Sequence, residues 1–139
     1  MDISAPDEPV SLMTAGIHVS GNRLHGDRVH NQLFTLPDEA TSLAIVADGS
    51  MPELTETAAA WFEGVLARPI VRHEWLRFGR VYAQEYLFAD TLETLCQMFN
   101  GSRAPRWKTR WLGQGRRDGW IQVRCLGSPD RITHVRPSA

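Results

Sequence analysis

The hydrophobic period of this chain changes at Arg68-Pro69, and that change constrains the fold more than any other feature of the sequence. Before it, Met51, Leu54, Ala58, Trp61, Phe62, Val65 and Leu66 recur at the i, i+3, i+4, i+7 spacing of one buried helix face. Ser50 can cap that helix, and Glu53 three residues later completes a capping box. Pro52 falls in the first turn, where a missing N–H costs little. Glu53, Glu56 and Glu63 lie off the apolar stripe, so the pattern predicts a helix over Met51–Ala67. After Pro69 the period is two. Ile70–Arg77 and Arg80–Ala89 read as strands flanking Phe78-Gly79, a tight hairpin turn. Tyr82, Tyr86 and Phe88 then share one face of the second strand.

The rest of the chain reads as further short strands. Residues 1–13 are acidic, contain prolines and lack periodicity, which predicts a mobile arm. Ile17–Val19 precedes the turn signal Ser20-Gly21-Asn22, Val29–Leu36 stops at Leu36-Pro37-Asp38, and Ser42–Ala47 closes at Asp48-Gly49. For Thr91–Phe99 the helical spacing of Leu92, Leu95, Cys96 and Phe99 favours a short helix over a continued meander. Arg106–Leu112, Trp120–Leu126 and Arg131–Arg136 read as three closing strands. In the first of these, Trp107, Thr109 and Trp111 alternate with Arg106, Lys108 and Arg110. The expected fold class is α+β, a curved antiparallel sheet packed on one long helix, forming a single domain over residues 14–139.

At 139 residues, with 42% hydrophobic and 22% charged residues, the composition is that of a globular domain rather than a disordered or fibrous chain. The sequence has no apolar run of membrane-spanning length, and MDISAPDEPV lacks a hydrophobic signal core. The expectation is a soluble cytoplasmic protein without a membrane partner. Cys96 and Cys125 are too few for a disulfide framework and lack metal-ligand spacing. The net charge of −1 conceals a split. Residues 1–70 hold three Arg and ten Asp or Glu, a net of −7, and residues 71–139 hold twelve Arg or Lys and six acids, a net of +6. A basic half suits an anionic ligand, nucleic acid or an acidic protein surface, and it can equally neutralise the acidic half on folding. The ratio of fourteen Arg to one Lys is the bacterial-type composition that a GC-rich genome produces without selection for binding.

Few residues carry a recognisable chemistry. His25 and His30 bracket Gly26-Asp27-Arg28, read as a turn, but no third ligand accompanies them, so no metal centre and no cofactor is expected. Cys125 alternates with Ile121 and Val123, the pattern of a small core residue rather than a nucleophile. Phosphate-loop, nucleophile-elbow and HExxH signatures are missing. The segment Ser102–Arg124 sets seven cations against one Asp and interleaves Trp107, Trp111 and Trp120. Three readings stand: a half-buried sheet with inward tryptophans, a slot for a small aromatic carboxylate, or single-stranded nucleic acid.

Leu36-Pro37, then Leu43 to Met51 ending in Asp48-Gly49-Ser50-Met51, followed by Arg72-His73-Glu74-Trp75-Leu76, Gly79-Arg80-Val81-Tyr82-Ala83 and Thr91-Leu92, resemble in order the chorismate pyruvate-lyase family. The resemblance implies that Arg72 clamps a substrate carboxylate and that Met51 lines the pocket. Thr133-His134-Val135-Arg136-Pro137 puts a histidine where that family has a catalytic glutamate, so His134 would replace the acid.

The functional expectation is a basic, aromatic-lined pocket for a small anionic, aromatic carboxylate-like molecule, of lyase or cyclase type if catalytic. Arg72, Arg110, Arg124, Trp111 and Met51 would bind, and His134 or Glu85 would move a proton. The competing reading is a non-catalytic interaction protein of inhibitor or immunity type, marked by an exposed charged or aromatic face without an enclosed cavity. A nucleic-acid module ranks third.

Overall fold

A computed structural model describes residues 1–5, 7–29, 34–108 and 123–136, with the backbone of 116–117 and 120–121. The fold is α+β with antiparallel sheets, and the chain divides into two compact units, one reaching to Arg68 and the other beginning at Pro69. In the first unit, β1 (Asp2–Ser4), β2 (Ser11–Ser20), β3 (Arg23–Arg28) and β4 (Ile45–Asp48) form a four-stranded antiparallel meander in sequence order. The helix α1 (Met51–Ala67) follows, with the boundaries its apolar rhythm predicts. Its Glu53 carboxylate accepts hydrogen bonds from the Ser50 N–H at 2.8 Å and the Ser50 hydroxyl at 2.6 Å. Those two bonds hold the Glu53 carboxyl below the usual carboxylate range. The helix packs on β3 and β4, and the Trp61 indole N–H donates to the Leu43 carbonyl at 2.8 Å. Leu54 and Val65 are its buried residues, whereas Met51 and Leu66, at the ends of the predicted stripe, are exposed.

The second unit holds β5 (Ile70–Arg77), β6 (Arg80–Phe88), β7 (Thr94–Phe99) and β10 (Arg131–Arg136) in the order β10-β5-β6-β7, all antiparallel. A two-residue pair, β8 (Arg116–Arg117) with β9 (Trp120–Ile121), and the 3₁₀ turn η1 (Val123–Leu126) lie between β7 and β10. The predicted hairpin at Phe78-Gly79 is present, with φ of 50° and 74° at the two turn residues, the signature of a type I′ turn. Trp75, Tyr82, Ala83, Ala104, Val123 and Leu126 form a core with Phe99 packed against it, and the Trp75 indole donates to the Gly127 carbonyl at 3.0 Å.

Several sequence expectations change. The described residues form two four-stranded sheets and a two-stranded pair rather than one curved sheet. Part of the N-terminal arm is β1, anchored by the buried Ile3 and by the Met1 amino group donating to Ala15 O at 2.8 Å. Three residues are too short a strand to reveal a period. Thr94–Phe99 is a strand, not a helix, because its backbone pairs with β6 and its polar side chains bind a buried carboxylate there. Gly26-Asp27-Arg28 lies inside β3 rather than in a turn. Residues 106–108 form a helical turn instead of a strand, and η1 replaces most of the strand predicted over Trp120–Leu126. Cys125 is consequently exposed, not a core residue.

Gly26 is required by the register of the first sheet. It sits on β3 between Ile17 of β2 and Ile45 of β4, and a Cβ there would meet each isoleucine side chain at 2.9 Å. Gly26→Ala therefore forces both isoleucines off their positions. An overpacking loss of about 1–3 kcal/mol, measured by denaturant unfolding, is the expected result.

Candidate functional site

Strand pairing sorts the chemistry of the second unit into rows. Ile132, His73, Glu85 and Gln97 are paired side by side from β10 through β5 and β6 to β7. Thr133, Arg72, Tyr86 and Cys96 make the neighbouring row, which points to the opposite face. Arg131, Glu74, Gln84 and Met98 form another row on that second face.

Among the described residues, each face holds one buried carboxylate. Glu85 is 0% exposed, and it accepts from the Thr94 hydroxyl at 2.6 Å, the Gln97 amide at 2.8 Å and Arg124 Nε at 3.2 Å. The Arg124 guanidinium also donates to Leu92 O and to the Thr94 hydroxyl, so it ties η1 to the start of β7. His73 faces Glu85 across the strand pair. Burial holds its imidazole below the usual histidine range; the Glu85 carboxylate pulls it upward and Arg124 pushes it down. On the other face Glu74, also buried, is clasped by Arg131 through Nε at 2.5 Å and a second nitrogen at 3.0 Å. Arg72 Nε lies 3.5 Å from the same carboxylate, and its terminal nitrogen donates to the Tyr86 hydroxyl at 3.3 Å.

Among the described residues of the second unit, the site residues expected from sequence do not all come together. Arg124 and Glu85 meet as an ion pair, but Arg72 lies on the opposite face of the sheet, so the two arginines form no joint carboxylate clamp. His134 is exposed on the edge strand β10, paired with Val71, with β5 between it and Glu85 and in a different row. It does not form a proton-transfer pair with Glu85. Met51 belongs to the first unit, at the exposed start of α1. Arg110 and Trp111 lie outside the described residues, as does His30.

Sequence reasoning passed over the surface around the β5–β6 turn. Phe78, at the tip, is 91% exposed, and Arg77 stacks its guanidinium over the Phe78 ring with 5.2 Å to the centroid. Arg77 also donates to the Ala104 carbonyl at 3.0 Å, which brings the segment carrying Arg103, Arg106, Trp107 and Lys108 to the same end of the sheet. Trp107 is 66% exposed, and Lys108 Nζ lies 5.4 Å from its ring and 5.8 Å from that of Tyr82. Beside this patch an open groove of 260 Å³ runs along β6 and β7, lined by Gln84, Met98, Phe99, Asn100 and Arg103 among others. The readable signal was Arg77-Phe78-Gly79-Arg80 itself, an aromatic between two arginines at a turn position that favours Asn or Gly.

Comparison with protein-family models, with curated proteins and with solved structures gives no match. The chorismate pyruvate-lyase resemblance therefore stands on the short sequence motifs alone.

The Glu85 cluster has a titration signature. Glu85→Gln removes the upward pull on His73 and leaves Arg124 in place, so the imidazole should titrate at a still lower pH by NMR. In the native chain His73 binds its proton less readily when folded than when unfolded. Its contribution to stability is complete above the unfolded value of about 6.5 and declines as pH falls through that value towards the folded one. His73→Gln should flatten that part of the stability–pH curve.

Proposed function

We propose that the protein is a non-catalytic interaction module that docks an acidic protein surface through the hairpin end of its second unit. The observation that carries this reading is the exposed Phe78 and Trp107 set among Arg77, Arg80, Arg103, Arg106 and Lys108. Aromatic and arginine side chains are the residues on which interface energy concentrates. Further support comes from the acids: Glu85 and Glu74 are held by arginines within the fold, so they are poor candidates for proton transfer. A protein partner fits better than nucleic acid. The whole chain carries a net −1 and has no RNA-recognition or helix-turn-helix signature, which argues against an extended polyanion.

The Phe78 backbone supplies independent support. At φ 50° a phenylalanine occupies the left-handed region, which costs about 1 kcal/mol relative to a residue suited to it. An exposed ring regains nothing by burial in the core, and a binding role accounts for its presence. The open groove beside the patch, with Phe99, Met98 and Arg103, favours a second reading in which a small aromatic carboxylate binds there.

Phe78→Asn separates function from folding, because it should raise stability by about 1 kcal/mol while weakening binding. The binding probe is a fluorescein-labelled acidic peptide containing leucine and phenylalanine, followed by anisotropy. Phe78→Asn and Trp107→Ala should each reduce its affinity about tenfold or more, equivalent to about 1.4 kcal/mol. Tighter binding of a single-stranded oligonucleotide of equal charge would move the assignment to nucleic acid. Saturation by benzoate-type carboxylates alone, lost in Arg103→Ala, would move it to the groove.

A further inference from the structure

We propose that His18 and His25, on the first unit, form a two-imidazole chelate for a late first-row divalent cation of the nickel, copper and zinc class. The two are direct cross-strand partners between β2 and β3, and both are exposed. Directly opposed residues of an antiparallel pair have Cβ atoms about 4.5–5.5 Å apart, so two imidazoles rising from them can share one ion at nitrogen–metal distances of about 2.0–2.1 Å. Imidazole is a ligand that these ions favour.

A second contact prepares one of the two nitrogens. His18 Nε2 lies 2.8 Å from the Phe34 carbonyl oxygen. A carbonyl only accepts, so Nε2 is the donor and, in the neutral ring, Nδ1 holds the lone pair that a metal needs. A ring N–H directed at a backbone carbonyl is the outer-shell arrangement that fixes the tautomer of metal-binding histidines.

The neighbouring carboxylate does not take part. Asp27, two residues along β3 from His25, is buried and accepts from the Arg28 N–H at 2.6 Å, from the Thr41 N–H at 3.0 Å and from the Thr41 hydroxyl. No third His, Cys, Asp or Glu joins the pair among the described residues. Water or a donor from an incoming ligand would complete the coordination that the described residues leave open. The site is therefore an open, exchangeable one rather than a structural centre.

The test uses the full chain without an affinity tag, titrated calorimetrically with NiCl2 and then ZnCl2 at neutral pH. One ion per chain is expected, with His18→Ala and His25→Ala each weakening binding at least tenfold and His134→Ala leaving it unchanged. Both substituted side chains are exposed, and melting curves verify the fold of each variant. In the unaltered protein, substoichiometric CuCl2 should broaden the amide resonances around His18 and His25 first. Broadening centred elsewhere, or single variants that bind within twofold of the native chain, would overturn the assignment.

Discussion

A carboxylate buried on each face of one sheet has to be neutralised, and the second unit is organised around that requirement. Glu74 and Glu85 are 2% and 0% exposed, on neighbouring strands and opposite faces. Their cationic partners come from much later in the chain, Arg131 of β10 and Arg124 of η1. Removing either arginine leaves a buried carboxylate short of its main cation, a loss below the roughly 3–5 kcal/mol of a fully buried pair because both arginines are half exposed and other donors remain. The two arginines therefore do more than decorate the surface. Arg131 fixes the strand that closes one edge of the sheet, and Arg124 holds η1 against the beginning of β7. Part of the basic excess in the second half of the sequence is accounted for inside the fold, before any ligand is considered.

The legible parts of the sequence were those with a local signal of sufficient length. The helix Met51–Ala67 has a capping box, a proline in its first turn and a terminating Arg68-Pro69, all within reach of one another. The hairpin at Phe78-Gly79 was equally local. The helix expected over Thr91–Phe99 does not form, because Leu92, Leu95, Cys96 and Phe99 satisfy helical spacing by coincidence. What decides the segment is distant: Thr94 and Gln97 supply hydrogen bonds that Glu85 needs, and only a strand beside β6 delivers both. Leu92, at φ 56°, sits in the connection and not in any helix.

The site was less legible than the fold, and a single bulge explains much of this. A regular two-residue hairpin at Phe78-Gly79 pairs Arg77 with Arg80 and Leu76 with Val81, and extending that register would set Arg72 opposite Glu85. In the structure the register shifts between Trp75 and Leu76, and Tyr82 is the extra residue. From there onward Glu85 faces His73, and Arg72 turns to the other side. The unbroken burial from Tyr82 to Phe88 has another cause: β6 lies inside its sheet and is covered on both faces, which alternation alone does not predict. Counting residues from the turn thus puts Arg72 and Glu85 on one face, whereas the structure puts them on opposite faces.

The same bulge lies between the buried acids and the exposed hairpin end, and the two regions follow different rules. Beyond it towards the sheet centre, charged groups are paired and the polar atoms of Glu74 and Glu85 are engaged. On the turn side, Arg77, Phe78 and Arg80 surround a type I′ turn built on an unfavoured residue, and Arg77 links it to the segment bearing Trp107. Folding alone favours Asn-Gly at those two positions. A large apolar ring held in water, on a strained backbone, between two cations, is costly for stability and well suited to contact with another molecule. The division of labour within the second unit is then physical: its sheet interior consumes charge to hold the C-terminal segments, and its hairpin end presents charge and aromatic surface outward.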